Sequence, residues 1–232
     1  MKKIYIDCTG GVSGDMVARA LTELAACVCG AEPEKPVLPA SGHEYHHDHH
    51  DHRHGRSFQE VLNLIDGAEN AGGEAKAFAR GIYEVIAAAE AKVHERTLET
   101  VHFHEVGRDE AVLNALTTGA ALEAMGFSAG GEGEILVSPV YDGRGWVDCA
   151  HGRIPVPVPA VRAMMDRSDF EFRTAEEVDT EMVTPSGLAA LMGIGGRPAG
   201  PEEDIREKAA CVATCEGKRK TGRDGLKVYY TE

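Results

Sequence analysis

The first thirty residues predict a strand, a glycine-rich turn and a helix, in that order. KIYID, residues 3–7, alternates its side chains as a strand does and is rich in β-branched and aromatic residues. CTGGVSGD follows, and MVARALTELAACV then places its apolar residues at helical spacing. Because a helix buries its apolar stripe against a neighbouring layer, this opening predicts an α/β or α+β fold with a mixed β-sheet and packed helices.

The rest of the chain mixes both kinds of element. Apolar spacing predicts further helices at 56–67 and 74–94. Helices are also predicted at 108–125, at 159–167 and, after the TPSG motif, at 185–193. Strands are predicted in GEILVSPV, FEFRTA, AACVAT and LKVYYTE. Three prolines at alternate positions in RIPVPVPA exclude a central strand there and indicate an extended, rigid segment.

The length of 232 residues predicts one main domain. We place this domain at residues 1–195. A mobile His-rich loop at 41–55 is inserted in it, because the chain there is polar and has almost no apolar pattern. Residues 196–232 are interpreted as a tail that forms closing strands of the same domain.

The net charge and the lack of a long apolar run argue against two classes of partner, nucleic acids and membranes. The formal net charge is −14 with histidine neutral, so the surface as a whole repels nucleic acid and anionic membranes. The sequence contains no run of about eighteen apolar residues, as a membrane span requires. The opening MKKIYIDC is typical of a first strand rather than a secretory signal. We therefore expect a cytoplasmic protein without nucleic-acid or membrane partners, and a homo-oligomer stays open.

The six cysteines contain no CxxC pair, which argues against a zinc ribbon. Cys27 and Cys29 lie close together at the predicted end of the first helix. We interpret them as thiols in a reducing cell, with a soft-metal pair as the alternative.

Seven of the eleven histidines lie in one run, HEYHHDHHDHRH, at 43–54. Imidazole is a nitrogen donor for nickel, zinc, cobalt and copper. The run is internal and is interrupted by Asp48, Asp51 and Arg53, unlike an affinity tag. We predict metal collection rather than a solvated loop without function. The predicted ligands are His43, His46, His47, His49, His50, His52 and His54.

A second, sparser group of histidines lies in VHFHEVG, residues 101–107. If this stretch is extended, His102 and His104 project to the same side of the backbone, and Glu105 can join them in a metal or acid–base site. The alternative is one hydrogen-bonded core histidine and one surface histidine. Acidic residues at the start of the next predicted helix favour a carboxylate and imidazole cluster at this corner.

The turn GGVSGDM, residues 10–16, follows a predicted strand and begins a helix. Glycines let the backbone approach a ligand, and the N–H groups at a helix start hold anions, so a nucleotide phosphate fits. The sequence lacks the lysine of a Walker loop. An equally supported alternative is a tight turn in which a side chain caps the helix. The candidate residues are Gly10, Gly11, Ser13, Gly14 and Asp15.

Two shorter motifs are weaker candidates. TPSG, residues 184–187, has the composition of a helix start, with plain capping favoured over nucleotide binding. CAHG, residues 149–152, sets a thiol two residues from an imidazole, and we favour metal contact by His151 over a Cys/His catalytic pair. The nucleotide-binding candidates in TPSG are Thr184, Ser186 and Gly187. We assign no catalytic residue.

Taken in order, these stretches resemble the LarC family of nickel insertion proteins. The resemblance covers residues 3–190 and rests on DCTGGVSGDM, the His-rich insertion, AEAKVH, VHFHEVG, SPV, CAHGRIPVPVPA and EMVTPSG. It implies a nickel chelatase of the lyase class, which takes part in biosynthesis of the nickel-pincer nucleotide cofactor of lactate racemase. The implied reaction inserts nickel into a pyridinium mononucleotide that bears two thiocarboxylate groups. CTP and a divalent ion such as manganese or magnesium are also implied.

The resemblance lets the motifs be assigned roles. The His-rich loop would gather nickel, and the Gly-rich and TPSG turns would hold the phosphate of the nucleotide. The VHFHEVG corner would hold nickel while sulfur ligands replace nitrogen ligands.

This sequence departs from the family in several places. Family members continue into a second domain linked to CTP use, whereas this sequence stops at Glu232. Glu110 and Asn114 stand where the family usually carries aspartates, and the closing Gly-rich segment matches poorly. We therefore expect CTP use to need a second domain or chain. A non-catalytic nickel-binding or storage module, or a metallochaperone, is the alternative function, and a plain hydrolase is a third hypothesis.

The His-rich loop is expected to bind metal without supporting the fold. Deleting 43–54 removes few apolar side chains, so little buried surface is lost. Most weakly bound nickel, measured by equilibrium dialysis, should disappear while the melting temperature stays nearly unchanged. A fall of many degrees in that temperature would contradict the prediction.

Overall fold

The computed structural model describes residues 1–39, 55–149 and 152–232. These residues form the helices α1 (Gly14–Cys29), α2 (Phe58–Gly67), α3 (Gly73–Val93), α4 (Asp109–Ala124), α5 (Pro159–Met165) and α6 (Pro185–Gly193). They form the strands β1 (Lys3–Asp7), β2 (Arg56–Ser57), β3 (His102–Phe103), β4 (Glu134–Val137), β5 (Val140–Asp142), β6 (Trp146–Cys149), β7 (Gly152–Pro155), β8 (Phe172–Thr174), β9 (Arg197–Pro198), β10 (Cys211–Cys215) and β11 (Leu226–Thr231). A single 3-10 turn, Arg206–Lys208, precedes β10 in this part of the chain.

The main sheet is mixed and five-stranded, in the order β10-β11-β1-β4-β9. β1 pairs with β11 in the antiparallel direction and with β4 in the parallel direction. β9 lies parallel to β4 at one edge, and β10 lies antiparallel to β11 at the other. The first strand is therefore central, and the C-terminal hairpin of β10 and β11 lies directly beside it.

Alternation along β1 separates the two faces of the sheet, as the strand period requires. Ile4 and Ile6 are fully buried in the main core. Tyr5, between them, packs with Leu136 and Ile205 on the opposite face. On the main-core side, α1 contacts β10, β11 and α4, and α3 contacts α4 and α6. The helices therefore form a layer on one face, and the segment around Ile205 covers part of the other.

Glycines allow α3 to contact its neighbours closely. A Cβ atom on Gly119 of α4 would lie 2.3 Å from the carbonyl oxygen of Ala75 in α3. A Cβ atom on Gly193 of α6 would lie 2.4 Å from the backbone of Ile82 in α3. Larger residues at these positions would push the helices apart, so the two glycines fix α4 and α6 against the same helix.

The fold class predicted from the sequence is confirmed, with a mixed sheet and packed helices. The predicted helices appear as α1–α6, and the two closing strands appear as β10 and β11. The proline-rich segment forms no central strand, as the alternating prolines indicated. It contributes β7, which pairs with β6 in a separate two-stranded sheet, and the first residues of α5. The division into 1–195 and 196–232 stays a prediction. Most of the predicted His-rich loop, residues 41–54, lies outside the described residues.

No helix in the described ranges is long and apolar enough to span a membrane.

One interpretation of the cysteines was wrong. Cys27 and Cys211 form a disulfide with their Cα atoms 6.0 Å apart, so Cys27 is not a free thiol. The bond joins the last turn of α1 to β10, two elements that pack together although 184 residues separate the cysteines. Cys29 keeps a free thiol. A metal pair made of Cys27 and Cys29 is therefore excluded in this state of the protein.

Phe103 is expected to be the main stabilising side chain of the VHFHEVG corner. It is 1% exposed. Its ring lies 6.2 Å from that of Phe58 and 6.0 Å from that of Tyr83, centroid to centroid. Replacing Phe103 by Ala should lower the free energy of unfolding by about 3–5 kcal/mol, measured by denaturant titration. His102→Ala, next to it and exposed, should change it by less than about 0.5 kcal/mol. Equal effects would contradict the assignment.

Candidate functional site

The Gly-rich turn and the TPSG turn are joined backbone to backbone. The amide of Val12 donates to the carbonyl of Met182 at 2.8 Å, and the amide of Thr184 donates to the carbonyl of Val12 at 3.0 Å. Gly11 has φ +84°, and a Cβ atom there would lie 2.4 Å from the Met182 carbonyl oxygen. A Cβ atom on Gly187 would lie 2.4 Å from the Val12 carbonyl oxygen. Both glycines are therefore required for the starts of α1 and α6 to meet.

The two helices begin differently. Thr184 caps α6, because its Oγ1 accepts the amide of Gly187 at 3.1 Å, as the sequence predicted. Ser13 occupies the N-cap position of α1 without a side-chain capping bond. Its hydroxyl donates instead to Oδ1 of Asp15 at 2.7 Å. The capping alternative for the Gly-rich turn is therefore not observed, although this does not test nucleotide binding there.

A hydroxyl connects the two turns. The amide of Gly14, the first residue of α1, donates to Oγ of Ser186 at 3.3 Å. Oγ of Ser186 also lies 3.1 Å from Oγ1 of Thr184. Amide and hydroxyl groups from both motifs thus converge on one small region, which suits the binding of an anion.

The VHFHEVG corner is held in place by contacts on both sides. Tyr83 donates from its hydroxyl to the carbonyl of Val106 at 2.6 Å. Arg56 donates to the carbonyl of Gly107 at 2.8 Å and pairs with Asp109 at 2.5 Å. The corner therefore has a fixed backbone, anchored to α3, to β2 and to the start of α4.

The two histidines of the corner lie in different surroundings. The extended stretch ends at Phe103, and His104 lies in a bend. His102 is exposed, with Nδ1 3.1 Å from the carbonyl oxygen of Thr100. His104 and Glu105 line a cavity together. The structure thus places His104 with Glu105, while His102 lies apart from that cavity wall.

Three adjoining cavities surround the two turns and the corner. The α4 cavity, about 200 Å³, is lined by Asp15, Glu105, Glu110, Asn114, Ser186 and Lys218, among others. The loop cavity, about 430 Å³, is lined by Gly10, Ser13, Asp15, Glu181, Thr184 and residues 216–225. The histidine cavity, about 580 Å³, is lined by His94, His104, Glu105, Cys149, Glu181, Ser186 and Arg219, among others.

Shared walls make these cavities one cleft, which we call the junction cleft. Asp15 and Lys218 line both the α4 cavity and the loop cavity. Glu105 and Ser186 line both the α4 cavity and the histidine cavity. Glu181, Thr184 and Arg219 line both the loop cavity and the histidine cavity. A ligand of nucleotide size could therefore contact both turns and the corner at once.

Glu181 is the buried acid of the junction cleft, and sequence inspection missed it. Burial raises the pKa of its carboxyl to about 7, against the opposing effect of Arg219. Arg219 pairs with it at 2.7 Å. The nearby charges of Asp142 and Glu105 raise the pKa further. A carboxyl group that titrates near neutral pH inside a cleft is a candidate for proton exchange or ligand binding.

Asp142 supports the TPSG turn from behind. Its Oδ1 accepts backbone amides from Gly143 and Met182, both at 2.8 Å, and from Val183 at 3.0 Å. Burial raises the pKa of this carboxyl, whereas the three amides lower it. Its role is therefore to position the chain that enters the TPSG turn.

A second feature missed at first is the loop between β10 and β11, residues 216–225. It carries EGKRKTGRDG and borders the loop cavity. The signal was available, because KRK is a cluster of like charge in a chain of net charge −14. Its position over the Gly-rich turn follows only from the pairing of β11 with β1.

A preformed metal site is absent from residues 1–39, 55–149 and 152–232, where no three His, Cys, Asp or Glu side chains are grouped closely enough to hold an ion. His102, His104 and Glu105 are within that range, so they do not form such a group by themselves. The other predicted metal ligands, His43, His46, His47, His49, His50, His52, His54 and His151, lie outside the described residues. The metal-site assignments stay predictions.

The predicted nucleotide-binding residues come together. Gly10, Ser13, Asp15 and Thr184 line the loop cavity, and Gly14 and Ser186 line the α4 cavity. Gly11 and Gly187 do not line these two cavities but allow the turns to approach. All eight therefore belong to one junction, although nothing bound there yet tests their role.

Comparison with known proteins gives a consistent result. The profile of the family described as nickel insertion protein matches residues 27–221. The pyridinium-3,5-bisthiocarboxylic acid mononucleotide nickel insertion protein of Acetivibrio thermocellus is 33% identical, over 96% of this chain and 58% of its own length. The protein of the same name from Lactiplantibacillus plantarum is 33% identical, over 96% of this chain and 59% of its own length. That from Alkaliphilus metalliredigens is 30% identical, over 83% and 52%.

The chain thus spans a little over half the length of these curated relatives. No solved structure matches it at a significant level.

Glu181 should make the stability of the chain depend on pH near neutrality. Its folded pKa of about 7 lies above the ordinary value that the unfolded chain keeps. The folded state therefore binds more protons between these values, so stability rises as pH falls from 8 to 5. Between pH 8 and pH 5, the free energy of unfolding of the parent should rise by about 2–3 kcal/mol more than that of Glu181→Gln, measured by denaturant titration.

Glu177→Gln is the matched control, because Arg223 lowers the pKa of that exposed acid through a hydrogen bond. The parent should show no such gain over this variant as pH falls. If the free energies of unfolding of the parent and of Glu181→Gln change with pH in parallel, the assignment is contradicted.

Proposed function

Because the chain belongs to the nickel insertion protein family, we propose that it takes part in inserting nickel into a pyridinium mononucleotide with two thiocarboxylate groups. Such insertion is a step in the biosynthesis of the nickel-pincer nucleotide cofactor. The support is the function for which the relatives are named, since this chain matches them over most of its own length. The observation that carries the proposal is the junction cleft, where the Gly-rich turn, the TPSG turn and the VHFHEVG corner meet.

The size and lining of the cleft suit this substrate. The histidine cavity alone has a volume of about 580 Å³, within the usual range for small-molecule sites. Val147, Ile154 and Val158 give it an apolar wall against which a pyridinium ring can lie. His104 and Glu105 supply nitrogen and oxygen donors on the same wall. We place the ring and its sulfur groups in the histidine cavity.

The phosphate of the mononucleotide is placed at the joined turns. The groups proposed to hold it are the backbone of Gly10 and Gly14 and the hydroxyls of Ser13, Thr184 and Ser186, while Gly11 and Gly187 let the two turns approach each other. Asp15 is the carboxylate in this set, and its charge is partly balanced by Arg19 at 4.0 Å. Binding of the phosphate at the joined turns and of the sulfur groups in the histidine cavity would orient the nucleotide along the cleft.

Nickel is the second substrate, and its ligands are proposed to change in two stages. The histidines of 43–54 collect the ion as many loose nitrogen ligands. His104 and Glu105 then hold it in the cleft beside the thiocarboxylates. His102 and His151 stay further proposed ligands of the ion. Deprotonated sulfur is a softer ligand for nickel than carboxylate oxygen, so the ion passes to the nucleotide. The lack of a three-ligand group in the described part of the chain fits an acceptor that completes the coordination.

CTP and a divalent ion such as Mn²⁺ or Mg²⁺ are further proposed requirements. We assign them to a second domain or a second chain, supported only by the family resemblance. We also propose a cytoplasmic location and leave a homo-oligomer open. The free thiols of Cys8, Cys29, Cys149 and Cys215 suit a reducing compartment, whereas the disulfide weighs against it. Cell fractionation tests the location.

A nickel-binding or storage module without transfer is the second candidate function. Asn114 favours it, because this residue stands where the family resemblance implies an aspartate. The two functions differ in one outcome, since only an insertion protein transfers nickel to the nucleotide.

Replacing His104 by Ala should therefore impair transfer more than nickel collection. Nickel transfer to pyridinium-3,5-bisthiocarboxylic acid mononucleotide would be followed by nickel–sulfur absorbance, with CTP and Mg²⁺ present. Total nickel uptake should stay mostly intact, because seven other histidines lie in 43–54. Nickel affinity in the cleft should fall by roughly ten- to a hundredfold or more, judged from losses around other metal sites.

His94→Ala is the control, because this histidine lines the same cavity and is paired with Glu90 at 3.3 Å. His102→Ala measures whether the exposed imidazole shares the ion. Nickel uptake without transfer by the parent chain, with CTP present, would favour the storage module. Full transfer by the His104 variant would exclude the corner as the nickel site.

A further inference from the structure

The loop between β10 and β11 is cationic in an otherwise acidic protein. Residues 216–225 contain Lys218, Arg219, Lys220 and Arg223 against only two acids, whereas the chain has net charge −14. The field of the whole surface repels anions, so an anionic ligand would need a local group of cations. This loop supplies such a group at the junction cleft.

The base of the loop is fixed to the Gly-rich turn. Arg223 donates to the carbonyl of Thr9 at 2.9 Å and pairs with Glu177 at 2.6 Å. The backbone of Asp224 approaches Gly10 so closely that a Cβ atom there would lie 1.8 Å from the Asp224 carbonyl oxygen. Arg223 is therefore occupied in anchoring, and the remaining cations are held at a fixed place beside the turn.

The ion pairs of Arg219 and Lys218 differ in strength. Arg219 pairs at 2.7 Å with Glu181, whose side chain is only 8% exposed. Removing Arg219 would leave a buried carboxylate without its partner, which is costly. Lys218 pairs at 3.1 Å with Glu110, and both side chains are more than 70% exposed. Such an exposed pair contributes little to stability, so Lys218 can exchange its partner easily.

Lys220 forms no ion pair with any residue in the described ranges, and it lines the loop cavity with Lys218. Two lysines with weak or no ionic partners therefore line a cavity of about 430 Å³ that Ser13 and Thr184 also line, together with the acids Asp15 and Glu181. Ammonium groups and hydroxyls donate hydrogen bonds, which the oxygens of a phosphate monoester accept.

We propose that the loop 216–225 is a phosphate clamp, in which Lys218 and Lys220 bind the phosphate monoester of a mononucleotide against the Gly-rich turn. The clamp rests on the proposed function and adds to it the residues that select for the phosphate. Arg219 keeps its partner Glu181 and forms the inner wall of the clamp. Lys218 leaves Glu110 for the phosphate, because a dianion attracts it more strongly than one exposed carboxylate.

The test uses two probes that differ only in the phosphate, nicotinic acid mononucleotide and nicotinic acid riboside. Calorimetric titration of the parent chain should show the mononucleotide binding at least tenfold more tightly. The double variant Lys218→Gln, Lys220→Gln should bind the mononucleotide on the order of ten- to a hundredfold more weakly, because two charge-assisted bonds are lost. Its affinity for the riboside should change by less than about twofold.

The matched control is the double variant Lys92→Gln, Lys208→Gln, which makes the same charge change outside the cleft. Lys92, like Lys218, has an exposed ionic partner, Asp166 at 2.9 Å. This variant should keep the preference for the mononucleotide. The clamp is overturned if the parent binds both probes equally, if it binds neither, or if the Lys218 and Lys220 variant keeps the full preference. Nickel transfer, measured separately, decides the proposed function whatever the outcome here.

Discussion

The short backbone ladder between Val12 and Val183 is the contact on which the cleft depends. It joins the start of α1 to the start of α6, and it forms only because Gly11 and Gly187 leave room for the opposing carbonyls. Asp142 secures the same stretch by accepting three amides from a buried position. Both turns are thereby fixed before any ligand arrives, so the ordering cost of binding is already met by folding.

Acidic and basic side chains both line the cleft around this ladder. The corner and α4 contribute Glu105 and Glu110, which suit a cation, whereas the 216–225 loop contributes lysines, which suit a phosphate. A pyridinium mononucleotide with thiocarboxylate groups that receives nickel has both requirements in one molecule. Arg219 and the buried Glu181 line both the loop cavity and the histidine cavity, and Lys218 pairs directly with Glu110. Under the proposed function the lysines would hold the phosphate of the nucleotide, a group that simple nickel storage would not need.

Local patterns were sufficient for much of this description. The alternation of KIYID predicted β1, apolar spacing predicted α1, α2 and α3, and the TPSG motif predicted α6 and its Thr184 cap. The features that the sequence did not predict depend on contacts between residues far apart in the sequence. Placement of the 216–225 loop requires β11 to pair with β1, and the disulfide joins residues 184 apart. The burial of Glu181 likewise depends on the fold rather than on its neighbours in EMVTPSG, and no periodicity reports it.

The central claim is that nickel and the phosphate occupy opposite ends of one cleft. Anomalous diffraction at the nickel edge, from crystals holding nickel and the bisthiocarboxylic mononucleotide, tests it most directly. The account predicts a nickel peak beside His104, bonded to the sulfur atoms, with the phosphate between Thr184 and Lys220. A nickel peak bonded only to histidines of 43–54, with the nucleotide elsewhere or absent, would contradict it.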